Sequence, residues 1–169
     1  MVCGTISVRA IDGGILIKVS GRANFESAVP LREAADGMDA SGWVCFDMSD
    51  CTAMDSTFMG VMTMIGLKKV RGGRKAGLAA ASEKVQGLLR GLGVLKIFDT
   101  EAQIPAGEGE DEEAAAGSGD AADTARTVLE AHRTLVEAEP ANEAQFRDVI
   151  AFAEEDVRRL DPGSERAGK

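Results

Sequence analysis

The sequence predicts an α/β fold in which a mixed β-sheet of about five strands packs against helices and is followed by an acidic linker and a C-terminal helical hairpin. Over the first hundred residues, extended apolar runs typical of strands alternate with apolar residues at helical spacing. The rest of the chain is a segment rich in Ala, Gly, Glu and Asp and then two amphipathic stretches. The expected boundaries are 1–100 for the α/β domain, 101–123 for a flexible linker, 124–161 for the hairpin and 162–169 for a disordered tail.

The chain opens with a predicted β-hairpin. Residues 5–11 alternate between apolar and polar with period two, residues 12–14 supply an Asp-Gly-Gly turn, and residues 15–19 resume the extended pattern. Apolar residues at helical spacing over 25–38 then predict the first helix, with Asn24 as its N-cap.

A central strand and a second helix follow. The continuous apolar run 43–48 predicts a strand covered on both faces, and the segment 49–56 is expected to be a polar loop. Apolar residues from Phe58 to Val70 keep one broad helical face until Gly72-Gly73 stops the helix. Three further elements complete the predicted domain: a strand at 75–80, a helix capped by Ser82, and a last strand at 95–98.

The C-terminal region predicts two helices separated by a break at Glu139-Pro140. Their apolar stripes are too small to make an independent core, so we expect the hairpin to dock on the first domain, pair with another copy, or bind a partner. His132, the sole histidine, lies on the first stripe beside Leu129 and Leu135. We therefore predict that it is a packing or surface residue and not a catalytic base.

Charge is distributed unevenly along the chain. Residues 1–100 contain 12 basic and 10 acidic residues, a net charge of +2, whereas residues 101–169 contain 7 basic and 18 acidic residues, a net charge of −11. The acidic half would repel phosphate backbones and the first half shows no basic stripe, so no nucleic-acid partner is expected.

Composition also argues against several other classes of protein. Cys3, Cys45 and Cys51 lack the spacing of a zinc site or a disulfide framework. No stretch approaches the roughly 20 apolar residues of a membrane span, and no targeting segment is visible. We therefore expect a cytoplasmic protein without direct membrane insertion, metal or cofactor. The sequence offers no paired acid and base and no nucleophile constellation, so no catalytic residue and no enzymatic activity are predicted.

The triplet Asp55-Ser56-Thr57 lies where the central strand and its loop lead into the second helix, a position expected to expose hydroxyl groups beside helix N–H groups. The stretch 47–61 resembles the signature of the STAS family of bacterial anti-sigma-factor antagonists. In that signature a strand and an acidic loop, here containing Asp47 and Asp50, lead to Asp-Ser-Ser or Asp-Ser-Thr and a helix that begins with small and aliphatic residues. The resemblance covers residues 4–100 and excludes the C-terminal region.

The resemblance implies a phosphorylation switch. In that family the serine directly after the aspartate is phosphorylated by a partner kinase that is also an anti-sigma factor, which makes Ser56 the implied phosphoacceptor and Thr57 the alternative. A serine kinase of this kind and a phosphatase are then the implied partners, and homo-oligomerisation through the C-terminal helices stays open. The residues expected to contact the partner are Asp50, Asp55, Ser56, Thr57, Phe58 and Met59.

Other interpretations of the same residues remain. Ser56 and Thr57 could simply cap the helix. The domain could also be a non-switching scaffold subunit of a signalling or lipid-transport complex, which would associate constitutively. A nucleotide-binding module is a further alternative, and an enzyme is the least favoured.

Overall fold

The computed structural model describes residues 4–38, 41–107, 109–114 and 120–163. Within these ranges, six strands form one mixed sheet and five α-helices pack around it. The strands are β1 (Thr5–Ile11), β2 (Gly14–Ala23), β3 (Trp43–Met54), β4 (Ala76–Ala79), β5 (Phe98–Asp99) and β6 (Glu112–Ala114). The helices are α1 (Phe25–Asp36), α2 (Ser56–Arg71), α3 (Glu83–Gly91), α4 (Ala121–Ala138) and α5 (Glu143–Leu160). The predicted α/β class with a mixed sheet packed by helices is confirmed.

The strands are arranged in the order β5-β4-β3-β2-β1-β6. Strands β2 to β5 are parallel to one another, whereas β1 runs antiparallel to both of its neighbours. The predicted opening hairpin is present, with Thr5 opposite Ser20 and Ile11 opposite Gly14. Strand β3 pairs on both edges, which explains why its first half is a continuous apolar run.

The helix N-termini follow the local sequence. Asn24 caps α1 by accepting a hydrogen bond from the Glu26 amide at 3.0 Å, and Ser82 caps α3 by accepting one from the Val85 amide at 3.2 Å. Both caps were predicted, because a short polar side chain before a helix satisfies an amide that has no partner within the helix.

Strand β3 is longer than the sequence predicts. Residues 49–54, expected to belong to a polar loop, continue the strand as far as Met54. The extension forms because β2 also continues to Ala23 and pairs with it, through two register irregularities. Cys51 and Met54 are buried in this segment while Asp50 is exposed, so the polar side chains face solvent without ending the strand.

The predicted linker at 101–123 is partly ordered. Strand β6 pairs antiparallel with β1, and the Arg9 guanidinium contacts the Asp111 carboxylate at 2.8 Å. The free edge of β1 offers unpaired backbone groups that a polar segment can satisfy without burying its side chains. The prediction of a wholly flexible linker is therefore wrong for 112–114, and residues 108 and 115–119 lie outside the described residues.

Two smaller differences occur towards the ends of the predicted elements. The strand expected at 95–98 is a 3-10 turn at Leu95–Ile97 that leads into the two-residue strand β5. Of the expected disordered tail at 162–169, residues 164–169 lie outside the described residues.

The main core lies between one face of the sheet and the helices. Ile17, Phe46 and Leu78 from the sheet pack in the same cluster as Phe58 of α2 and Leu135 of α4. Helix α4 packs on α1 and α2, and α5 packs on α4. Of the three roles considered for the C-terminal helices, the structure therefore shows docking on the first domain. The expected break between them is a 3-10 turn at Pro140–Asn142.

Candidate functional site

Asp55 connects the N-termini of two helices. It is the N-cap of α2, where its Oδ1 accepts a hydrogen bond from the Phe58 amide at 2.8 Å. Its Oδ2 accepts another from the Phe25 amide, the first residue of α1, also at 2.8 Å. Burial raises the pKa of Asp55, and these amide hydrogen bonds act in the opposite direction. The carboxylate thus fixes the orientation of both helices around the residue that follows it, Ser56.

Ser56 contacts a side chain far away in the sequence. It occupies the first position of α2 and is half-buried, and its Oγ lies 2.9 Å from Nε2 of His132 in α4. The docked hairpin thus brings the sole histidine onto the predicted phosphoacceptor. Only 2% of His132 is exposed, as its position on the predicted packing stripe indicates, whereas its pairing with Ser56 is not visible in the sequence.

The surroundings of His132 determine its protonation. Its Nδ1 lies 2.7 Å from the carbonyl oxygen of Val128, which can only accept, so Nδ1 carries the hydrogen. Burial lowers the pKa of His132, against opposing effects of the Val128 carbonyl and the Asp55 charge, and therefore favours the neutral ring. In that form Nε2 is an acceptor, and the Ser56 hydroxyl donates to it. The ring also packs edge-on against Phe146 of α5, with 4.9 Å between ring centroids.

A serine hydroxyl that donates to a neutral imidazole is oriented for proton removal. The group that orients the imidazole here is the Val128 carbonyl, whereas the Asp55 carboxylate accepts hydrogen bonds from the two helix amides. The arrangement is therefore a serine-histidine pair and not a Ser-His-Asp triad.

Helices α2 and α4 approach each other very closely beside this pair. A Cβ built on Gly60, one turn after Ser56, would lie 2.5 Å from the carbonyl oxygen of Ala131. Only glycine at position 60 therefore permits the two helices to lie so close together. The close packing holds His132, which follows Ala131 in α4, over Ser56. Gly60 is a signal for the contact that the sequence contains, although a glycine inside a helix does not by itself identify its partner.

Polar contacts with α1 also stabilise the packing of α4 on the domain. Arg32 of α1 donates to the Thr127 hydroxyl and forms an ion pair with Glu130, with its Nε 2.9 Å from the Glu130 carboxylate. At the other end of α2, Arg71 contacts Glu137 at 3.2 Å. The hairpin is thus held on the domain by charged and polar contacts as well as by apolar packing.

The structure separates the residues expected to contact a partner. Phe58 is fully buried, and Met59 and Thr57 are only 5% and 6% exposed. This burial does not fit the expectation that Phe58 and Met59 contact a partner, because both lie on sides of α2 that pack into the core. Thr57 is buried as well, which leaves Ser56 as the more accessible hydroxyl of the pair.

Asp50 and Asp55 occupy different environments. Asp50 is exposed on β3 and its carboxylate contacts Lys18 of β2 at 3.0 Å. Asp55 is half-buried and holds the two helix amides. Of the predicted contact residues, Ser56 hydrogen-bonds to His132, and Asp55 lies close enough for its charge to act on the pKa of that histidine.

The described residues contain no cluster of three or more His, Cys, Asp or Glu side chains arranged to hold a metal ion. Cys45 and Cys51 are buried free thiols. Within the same ranges, no helix combines the length and the apolar character that crossing a bilayer requires. Comparison with models of known protein families gives no match for this chain, and comparison with curated proteins gives no significant match.

Proposed function

We propose that this chain is a cytoplasmic, phosphorylation-controlled protein-binding module of the anti-sigma-factor-antagonist type. In this proposal it binds a cognate anti-sigma factor that is also a serine kinase while Ser56 is unmodified, and a phosphatase restores the binding form. The module itself catalyses no reaction.

The observation that carries the proposal is the position of Ser56. Its hydroxyl belongs to the first residue of α2, directly after the capping Asp55, and its hydrogen bond is to a side chain. The N-terminus of a helix favours an added phosphate by about 0.3–1 kcal/mol at an exposed site. The domain can therefore accept the modification at this position without losing its own fold.

Phosphorylation would change the charge of the surface around Ser56. A phosphoserine carries about −1.5 to −2 charges at neutral pH and three strong acceptor oxygens. A partner surface that fits a neutral hydroxyl would have to desolvate this dianion beside Asp55, at a cost of several kcal/mol in a buried interface. Release of the partner is the expected result.

The test is the intact mass of the protein purified from its native cells, together with affinity capture of its partner. We expect one added phosphate in the wild type and in Thr57→Ala, and none in Ser56→Ala. Ser56→Ala should retain the kinase partner and Ser56→Asp should release it. Ser82→Ala is a matched control, because Ser82 also stands at the start of a helix and should affect neither phosphate nor partner.

A second candidate is a scaffold subunit that does not switch. The observation in its favour is that the Ser56 hydroxyl already has a partner within the chain, as a purely structural serine would. This function predicts an unmodified Ser56 in cells and the same captured partners for Ser56→Ala and Ser56→Asp. Such a result would reject the phosphorylation switch and support the scaffold function.

A further inference from the structure

Helix α4 lies across the α2 residues that a partner of Ser56 would have to reach. His132 contacts Ser56, and Ala131 contacts Gly60 one turn further along. Continuing along α2, Met64, Leu67 and Arg71 line a surface cleft together with Thr134 and Glu137 of α4. Positions 56, 60, 64, 67 and 71 recur at helical spacing, so one continuous face of α2 lies beside α4, in contact with it at Ser56 and Gly60 and across the cleft from it further along.

We propose that α4 and α5 form a detachable cover that controls access to Ser56. The inference rests on the proposed function, since it assigns to the C-terminal helices the regulation of that same phosphorylation site. With the cover docked, Ser56 is protected; with the cover released, Ser56 and the outer face of α2 are open to the kinase.

Chemistry at Ser56 requires this opening. In phosphoryl transfer from a nucleoside triphosphate, Oγ forms a bond to the γ-phosphorus, the bond from that phosphorus to the bridging oxygen breaks, a nucleoside diphosphate leaves, and the serine proton passes to a base. The donor must reach Oγ, yet the imidazole of His132 lies 2.9 Å from it, backed by Phe146. The hydrogen bond itself would not prevent attack, because Oγ reacts through a lone pair. The obstacle is α4, which lies against the half-buried Ser56 where the active site of a separate kinase would have to enclose it, so the helix must first move aside.

Phosphorylation and docking should also oppose each other. A phosphorylated Oγ has no hydrogen left to donate, so the neutral His132 loses its hydrogen bond. The added charge lies beside Asp55, in a contact that the docked helix partly shields from water. Because coupling between two equilibria is reciprocal, phosphorylation that weakens docking is itself made less favourable by docking to the same extent.

The composition of the interface is consistent with release. Beside the apolar contacts of Ala131 and Leu135, it contains the Ser56–His132 hydrogen bond, the Arg32–Glu130 ion pair and the exposed Arg71–Glu137 pair. Polar groups in such an interface can return to water when it opens.

The experiment uses the full chain and a substitution on the cover, so that the α2 face stays unchanged. Ala131→Met places a long side chain against Gly60, where no space exists. Ala151→Met is the matched control, because Ala151 is exposed on α5. Hydrogen exchange followed by mass spectrometry should show faster exchange of α4 and α5 in Ala131→Met, by tenfold or more, with unchanged exchange in β2 and β3.

Accessibility of position 56 is measured separately with a thiol probe. Cys3→Ser is introduced throughout, Cys45 and Cys51 are buried, and Ser56→Cys supplies the reporter. Labelling of Cys at 56 by 5,5′-dithiobis(2-nitrobenzoic acid) should be at least tenfold faster with Ala131→Met than with Ala151→Met. Equal labelling rates, or exchange that accelerates in the sheet as much as in α4, would overturn the proposal.

A version of the test without any substitution in α4 guards against misfolding of Ala131→Met. Labelling of the Ser56→Cys chain is followed at rising urea concentrations below the unfolding transition. A detachable cover predicts an opening with a urea dependence much smaller than that of global unfolding. Labelling that occurs only through global unfolding would mean that α4 is a permanent part of the core.

Neither measurement involves phosphate, so the cover and the switch can fail independently. A detachable cover over a serine that carries no phosphate in cells would support the cover and reject the switch. Phosphate on Ser56 of a chain whose α4 opens only on global unfolding would support the switch and reject the cover.

Discussion

Gly60 of α2 and Ala131 of α4 are in direct contact, and the space between them has no room for a methyl group at position 60. An added Cβ would come within 2.5 Å of the Ala131 carbonyl oxygen and 2.6 Å of its Cβ. Real Cβ atoms do not approach other atoms so closely, and neither the backbone carbonyl nor the Ala131 methyl can rotate away. The position of the C-terminal helices on the domain therefore depends on the absence of a side chain at Gly60.

Gly60→Ala should destabilise the protein even though alanine is the better helix former. The clash forces α2 and α4 apart, and overpacking of this kind typically costs about 1–3 kcal/mol. The control is Gly87→Ala in α3, where a Cβ would meet nothing within 4 Å. There the change should stabilise by up to about 1 kcal/mol.

Urea denaturation followed by circular dichroism measures both Gly→Ala variants. The midpoint should fall for Gly60→Ala and stay equal or rise for Gly87→Ala. Equal changes in the two variants would show that helix propensity, and not the contact with Ala131, determines the effect at Gly60.

Asp55→Ala should destabilise more than the loss of an ordinary helix cap. Asp55 accepts from one amide in α1 and one in α2, whereas Ser82 accepts from a single amide in α3. With about 0.5–2 kcal/mol for each cap, we expect roughly twice the loss for Asp55→Ala as for Ser82→Ala. The measurement is the free energy of unfolding from urea titrations at pH 7. Similar losses in the two variants would contradict the double capping role.

The sequence predicts most of the elements because their determinants are local. The caps at Asn24 and Ser82 depend on neighbouring residues, and the body of α2 after Phe58 depends on a short apolar period. Strand β6 was not predicted, because its backbone hydrogen bonds to the edge of β1 require no particular side chains. Its polar sequence resembles a linker for that reason.

The site could be predicted only in part. The triplet around Ser56 identifies a hydroxyl at a helix start, but His132 is 76 positions away and reaches it only through tertiary packing. The burial of Phe58 has the same cause. Phe58 lies one turn before Met62 and close in helical phase to Ile65, both of which are buried under α2, so its position on the helix favours burial over contact with a partner.

Asn142→Ala should loosen the turn between the C-terminal helices. The buried Asn142 side chain donates from Nδ2 to the carbonyl oxygens of Leu92 and Leu135, each at 2.9 Å. Its removal leaves two buried acceptors without this donor, for which we expect a loss of about 1–3 kcal/mol. Ala substitution at Asn24, whose capping bond to the Glu26 amide lies near the surface, should cost less. A smaller loss for Asn142→Ala than for Asn24→Ala, by thermal denaturation, would contradict this interpretation.

Stability should fall as the pH is lowered from neutral, because of His132. Its folded-state pKa lies below the usual 6.5, so the unfolded chain binds the proton first. The stability that the neutral ring contributes is complete above pH 6.5 and is lost as the pH falls through the folded-state pKa. Asp55 acts in the opposite sense at lower pH, since its folded-state pKa is raised above 3.8 and protonation there relieves the burial of its charge.

The measurement for this last prediction is the free energy of unfolding between pH 7.5 and pH 5, for the wild type and His132→Gln. Glutamine does not titrate, so its curve should be flatter over this range even though its stability at pH 7.5 is lower. The control is Arg133→Gln, a neighbouring substitution at an exposed position that contacts Glu154. It should keep the pH dependence of the wild type. Parallel curves for the wild type and His132→Gln would show that protonation of His132 is not linked to folding, and would remove the basis for a neutral imidazole at Ser56.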